Sequence, residues 1–253
     1  MNLMLHCNAK DTTWENLCNV VTPEPTETHH PVPHHVLFGM VRDQMAEQGY
    51  RVTESQHGIT KDGDRYFGVM QLQSDHLKDW APVVGLRNSH DKSITAGMCF
   101  GTSVFVCDNM AFYGDLFSLS RMHTSKILED LPEKIKEGCG KSGQTNKRME
   151  LTIDHYKATK VSNRLAHHLI VKALDNGAIV SRSLPHVLEE WRNPRHIDFK
   201  SRNAWSLFNA FTETMKRAGD IGTHIGRTSR LHRVFDKQLG VEKALEKEIT
   251  LAI

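Results

Sequence analysis

Trp80–Tyr113, WAPVVGLRNSHDKSITAGMCFGTSVFVCDNMAFY, is the stretch from which the fold is read. Two apolar runs flank a dense polar knot, Arg87-Asn88-Ser89-His90-Asp91-Lys92-Ser93, and a second knot, Cys107-Asp108-Asn109, follows the second run. Short apolar runs rich in β-branched and aromatic residues and bounded by turn residues read as buried strands. Here the strands end in a guanidinium, amides, an imidazole and carboxylates. Arg87 offers a planar fork for phosphate or carboxylate. His90 can donate, accept or shuttle a proton near neutral pH. Asp91 can orient His90 or hold a divalent ion, and Asp108 adds a second carboxylate if the two knots adjoin. These four residues are the candidate catalytic set. The competing reading is a hydrogen-bonded turn built by Asn88, Ser89 and Asp91.

Upstream of this stretch, residues 1–33 read as an irregular arm carrying four prolines between Pro23 and Pro33, a composition that favours extended or looped backbone and suits an arm that orders on a partner. A helix is expected over His34–Gln48, with Val36, Leu37, Met40, Val41 and Met45 at helical spacing and Gly49 as its stop. Tyr50–Glu54 and Arg65–Leu72 read as strands joined through the Asp62-Gly63 turn signal. With Ala81–Leu86 and Ile94–Val106 they make an antiparallel meander of about four or five strands.

Downstream, helical patterns take over: Leu116–Lys136, interrupted by Pro132; a polar loop over Gly138–Asn146; one long helix over Lys147–Asn176; and helices at Leu184–Trp191, Ser201–Ala218 and Val241–Leu251. Strands first and helices after them specify an α+β fold. The expected layout is an arm (1–33), a helix plus antiparallel sheet (34–115) and a helical region packed on the sheet (116–253), all in one continuous domain.

At 253 residues and 39% hydrophobic, with a net charge of +2, the chain has material for a real core and no global charge that demands a polyanion. No run approaches the roughly 20 apolar residues that span a bilayer, and the first residues lack a secretory pattern. The five cysteines are odd in number and scattered, as expected of reduced thiols in a cytoplasm. Gly138-Cys139-Gly140-Lys141-Ser142 imitates the end of a phosphate-binding loop, but Ile135 stands where the motif needs its first glycine and the preceding segment is helical in pattern. The pairs His29-His30 and His34-His35 lack the cysteines and fixed spacings of structural zinc sites. Neither a metal nor another cofactor is expected.

The clear charge bias lies between Trp191 and Gly240. Arg192, Arg195, Lys200, Arg202, Arg227, Arg230 and Arg233 are interleaved there with Trp191, Phe199, Trp205, Phe208 and Phe211. Such a mixture suits a nucleic-acid backbone plus stacked bases. The plain alternative is a solvated helical surface over a core that holds the aromatics.

The order of motifs resembles an uncharacterised family carried by phages, prophages and plasmids, the domain-of-unknown-function family numbered nine-three-two. The resemblance rests on Leu86–Asp91, on Phe105-Val106-Cys107-Asp108-Asn109 and on Ala204–Glu213. It implies a mobile-element origin and a bacterial cytoplasm, and assigns no activity. Three expectations follow, in order. The first is a nucleic-acid-binding accessory protein acting in replication, recombination or genome protection, loosely like phage strand-annealing proteins, with DNA or RNA as partner. The second is an inhibitor that binds a host defence protein. The third is a hydrolase acting on a nucleotide or phosphodiester; the chain lacks a recognised catalytic motif, so a non-enzyme is favoured. Self-association is left open.

Overall fold

The computed structural model describes residues 9–113, 119–216 and 221–251. In chain order the elements are β1 (Lys10–Thr12), α1 (Trp14–Cys18), α2 (His34–Glu47), β2 (Val52–Ile59), β3 (Arg65–Leu72), β4 (Trp80–Ser89), β5 (Ala96–Val104), β6 (Met110–Phe112) and β7 (Leu119–Arg121). Then come α3 (Ile127–Gly140), α4 (Ser142–Ala158), α5 (Asn163–Asp175), α6 (Leu184–Arg192), α7 (Ala204–Met215), α8 (Ile221–Leu239) and α9 (Val241–Leu251). Strands β1 to β6 lie side by side in sequence order, and β7 also pairs with β5, giving a seven-stranded antiparallel sheet. The expected meander forms its centre as β2 to β5. The three added strands are each three residues long, too short to announce themselves by alternation.

Alternation along the central strands sorts side chains onto two faces. Tyr66, Met70, Val84, Leu86, Met98 and Phe100 pack beneath Leu37, Phe38 and Val41 of α2 and Leu131 and Ile135 of α3. On the other face Phe67, Val69, Val83 and Cys99 meet Phe112 and Ile225 of α8. A third core lies among α4 to α9, around Tyr156, Phe208, Phe211 and Phe235, and reaches the sheet through Trp80, Val104 and Ala111. Two glycines are dictated locally. Gly63 turns the β2–β3 hairpin at φ +82°. A Cβ on Gly68 would lie 2.1 Å from the Tyr66 hydroxyl, which crosses it to reach His57 Nδ1 at 2.9 Å.

Several expectations change. The arm carries β1 and α1, and its Pro-rich part is packed down, with His29, Pro31 and Val32 buried; its first eight residues lie outside the described ones. The helix expected from Leu116 is a strand, β7, followed by α3; its expected start at Leu116 lies outside the described residues. Pro132 sits inside α3 without ending it. The carbonyl that Pro132 leaves without a donor belongs to Leu128, which is itself exposed, while the buried stripe Ile127, Leu131, Ile135 and Cys139 holds the helix in place. The expected loop Gly138–Asn146 is the end of α3 and the start of α4. The expected long helix is two, because Ser162 caps α5 by accepting from Leu165 N–H at 3.2 Å and Lys160 bridges to Asn203. The Ser201–Ala218 helix begins at Ala204, and its expected end at Ala218 lies outside the described residues. Helix α8 was not anticipated.

Candidate functional site

The two polar knots do not meet. The first closes the β4–β5 turn and the second follows β5, so the whole of that nine-residue strand separates them, roughly 26 Å at about 3.3 Å per residue. Arg87 Nη2 bonds Thr95 Oγ1 at 2.9 Å. Asp91 pairs with Arg65 at 2.8 Å and accepts from Ser93 N–H, contacts that help hold its carboxyl down at about 2 despite the opposing effect of burial. Asp108 stands in the left-handed region at φ +52°. The neighbouring Asn109 donates to Asn209 Oδ1 at 3.1 Å, tying the knot to α7.

His90 belongs to a different constellation. Asn88, fully buried, donates to Val32 O at 2.7 Å and to His34 Nδ1 at 2.9 Å, and accepts from His123 Nε2 at 2.7 Å. His34 Nε2 donates to Gly63 O, His90 Nε2 to Val32 O and His29 Nε2 to His90 O. Each of the four imidazoles thus spends one N–H on a protein oxygen, and His34 stacks on His90 at 3.9 Å. Burial is the main cause holding His34 down to about 3 and His123 to about 4, and it lowers His90. The cluster fastens the arm to α2 and the sheet. Among the described residues, no group of three or more His, Cys, Asp or Glu is placed to hold a metal ion.

The basic residues of the helical half divide into two sets. Arg195 pairs with Glu190 and Glu213. Arg202 lies 4.1 Å above the Trp191 ring and bonds Trp191 O and Asn163 Oδ1. Arg230 donates to Gly177 O at 3.0 Å, and Arg227 is half-buried. Arg192, Lys200, Arg233 and Lys237 are exposed and make no ion pair among the described residues. The interleaved aromatics are core: Trp191, Phe199, Trp205, Phe208 and Phe211 are all buried. They are turned away from any ligand, so base stacking on them is not available.

Arg233 and Lys237, one turn apart on α8, stand at a cleft of about 460 Å³ that Tyr113, Arg148, His232, Asp236 and Glu242 also line. Tyr113 leaves the edge strand β6, Arg148 comes from α4 and Glu242 from α9. Tyr156 O–H donates to Asp236 Oδ1 at 2.5 Å. Tyr113 O–H donates to Asp236 Oδ2 at 3.4 Å and accepts from Arg148 Nε at 2.9 Å; Arg148 also pairs with Glu242. Burial pushes the Asp236 carboxyl up to about 6, against the pull of Tyr156 and Arg148. His232 Nδ1 lies 3.4 Å from the Tyr156 oxygen, and its buried Nε2 has no hydrogen-bond partner. Burial holds this imidazole down to about 3, so it is neutral. A half-buried acid, two phenols, a neutral imidazole and several cations can together bind an anion and exchange a proton. Of these residues sequence reading singled out only Arg233. The trace of the site was the paired i, i+4 spacing His232/Asp236 and Arg233/Lys237 on one helix.

The model of the family described as "Domain of unknown function (DUF932)" matches residues 9–243. No curated protein and no solved structure matches the chain.

Proposed function

The chain belongs to that family of unknown function, and we propose that it is a nucleic-acid-binding accessory protein, of the kind phages and plasmids carry, that grips phosphates at the mouth of the α8 cleft. The observation that carries this reading is the pair Arg233 and Lys237: exposed, one helical turn apart and without an acid of their own, both lining the same cleft. Cations that spend their charge on protein acids have little left for a phosphate, whereas free ones release counterions on binding. Arg192 and Lys200 add exposed charge to the same half of the chain. With the aromatics in the core, the reading predicts backbone contacts with weak base preference.

The test is a titration of the purified protein against labelled single-stranded and double-stranded DNA and single-stranded RNA at about 50 and 200 mM salt, the range over which phosphate contacts lose most of their affinity. Affinity should fall steeply with salt. The double variant R233E/K237E should bind at least about tenfold more weakly and flatten the salt slope by roughly 1 to 2. Absence of binding at low salt, or a double variant that binds like the parent, would overturn the proposal.

A further inference from the structure

The cations at the mouth explain the grip on phosphate but not the interior of the cleft. Tyr156 has a single hydroxyl proton and gives it to Asp236, 2.5 Å away. Its oxygen therefore faces His232 Nδ1 as an acceptor, and the neutral ring carries its one proton on Nδ1. Nε2 is left as a bare lone pair. His232 is only 4% exposed, and Nε2 is buried without a partner. A buried acceptor left unpaired costs about 1 to 3 kcal/mol. This one belongs to a residue lining a cleft, together with the cations Arg148, Arg233 and Lys237 and the acids Asp236 and Glu242.

We infer that the cleft is a binding site for one nucleotide unit, whose phosphate lies between Arg233 and Lys237 and whose sugar hydroxyl or base N–H donates to His232 Nε2. This deepens the nucleic-acid reading and rests on it for the phosphate contacts. The two ends of the ligand follow from the two ends of the site. The rim asks for negative charge, and the floor asks for a neutral donor, because Nε2 can only accept. Tyr113 and Tyr156 are already committed to Asp236, so they hold the imidazole and carboxylate in place and do not compete for the ligand. A cleft of about 460 Å³ lies within the range of pockets that enclose small ligands, roughly 300–1,000 Å³. The same chemistry is offered by a free mononucleotide and by the terminal unit of a strand.

The experiment uses the full chain with histidine labelled in its ring nitrogens. Inorganic phosphate, each of the four ribonucleoside 5′-monophosphates and a short single-stranded RNA are added in turn, and the His232 signals are followed by NMR. At least one mononucleotide or the RNA should shift His232 Nε2, while inorganic phosphate, which reaches only the rim, should leave it in place. Response to the mononucleotide marks a free-nucleotide site; response to the RNA alone marks a strand-end site. Replacing His232 with Phe keeps an aromatic ring in the core and removes the acceptor; nucleotide affinity should drop about tenfold. Replacing Lys237 with Gln on the exposed surface should weaken it several-fold without touching the core. If strands bind in a salt-dependent way but no ligand moves His232 and H232F binds normally, this inference fails and the phosphate-grip reading stands. If mononucleotides move His232 but strands do not bind, the site stands and the strand reading fails.

Discussion

Around Asn88, four buried imidazoles each give an N–H to a protein oxygen; around Asp236, one buried imidazole keeps a nitrogen with nothing to bond. Both clusters mix histidine with tyrosine or amide, and burial lowers imidazole basicity in both. What separates them is that no ring nitrogen of the first cluster is both buried and unpartnered. In the first, every donor ends on the arm, on α2 or on the sheet, so the cluster works as a fastening. In the second, the bonds close around Asp236 but stop at His232, whose open nitrogen belongs to a residue lining a cleft. Residue type alone does not distinguish a fastening from a site; the unspent valence does.

The largest effect should come from cutting the fastening. Asn88→Leu keeps the branched shape and strands His34 Nδ1 and His123 Nε2 together, while Val32 O keeps His90 Nε2 as its donor. Equilibrium denaturation should register a loss of about 2–5 kcal/mol, at about 1–3 kcal/mol for each of the two stranded groups and with partial relaxation. A loss under about 1 kcal/mol would mean that the cluster does not hold the arm down.

Acid should weaken the same cluster next. His34, His123, His90 and His57 all have lowered folded values. The unfolded chain takes up these protons near the ordinary value of about 6.5. The stability they contribute is therefore complete above that pH and is lost as pH falls toward the folded values, about 4 for His123 and about 3 for His34. Denaturation curves at pH 7 and 5 should differ by about 2–4 kcal/mol. Asp236 has the opposite sign. Its folded value, raised to about 6, costs stability while it is ionised, and that cost is relieved as pH falls toward the unfolded value. His232, held at about 3, adds to the acid loss. In Asp236→Asn the relief is gone, so the decline between pH 7 and 5 should be steeper than in the parent; an identical slope would show Asp236 to be well hydrated.

At pH 7 the same Asp236→Asn change should raise stability by about 1–2 kcal/mol, because a half-buried charge is replaced by an amide whose oxygen still accepts from Tyr156. Thermal unfolding would show this, and a lower melting temperature would break the contrast between fastening and site. Smallest of all, Arg233→Gln should leave stability within about 0.5 kcal/mol while weakening strand binding. A marked loss of stability would make Arg233 a structural residue.

The central strands and α2 were legible because their apolar residues alternate or recur at helical spacing and are buried as that pattern requires. Helix α8 was not, because its buried face includes His224, Thr228, Ser229 and His232 among Ile225, Leu231, Val234 and Phe235. Polar residues at core positions hide a helical period. Tyr156 was legible only as core, which it also is. Its link to Asp236 spans 80 residues of sequence, a distance over which no spacing rule operates. The knots drew attention for the right reason, density of polar chemistry at strand ends, yet Asn88 and Asn109 turn out to be tethers, one to the arm and the other to α7.

One tie between the halves sets conditions on how the chain is made. Phe112 N–H on the edge strand β6 donates to Thr228 Oγ1, 116 residues later, and Met110 O accepts from His224 Nε2 at 2.7 Å. Until α8 has been synthesised, that border of the sheet keeps backbone groups free to pair with another nascent chain. A fragment ending after α7 should therefore be prone to aggregate during translation, and separately supplied α8 peptide should improve its recovery. Helix α8 would then act as an intramolecular chaperone for a sheet completed long before it.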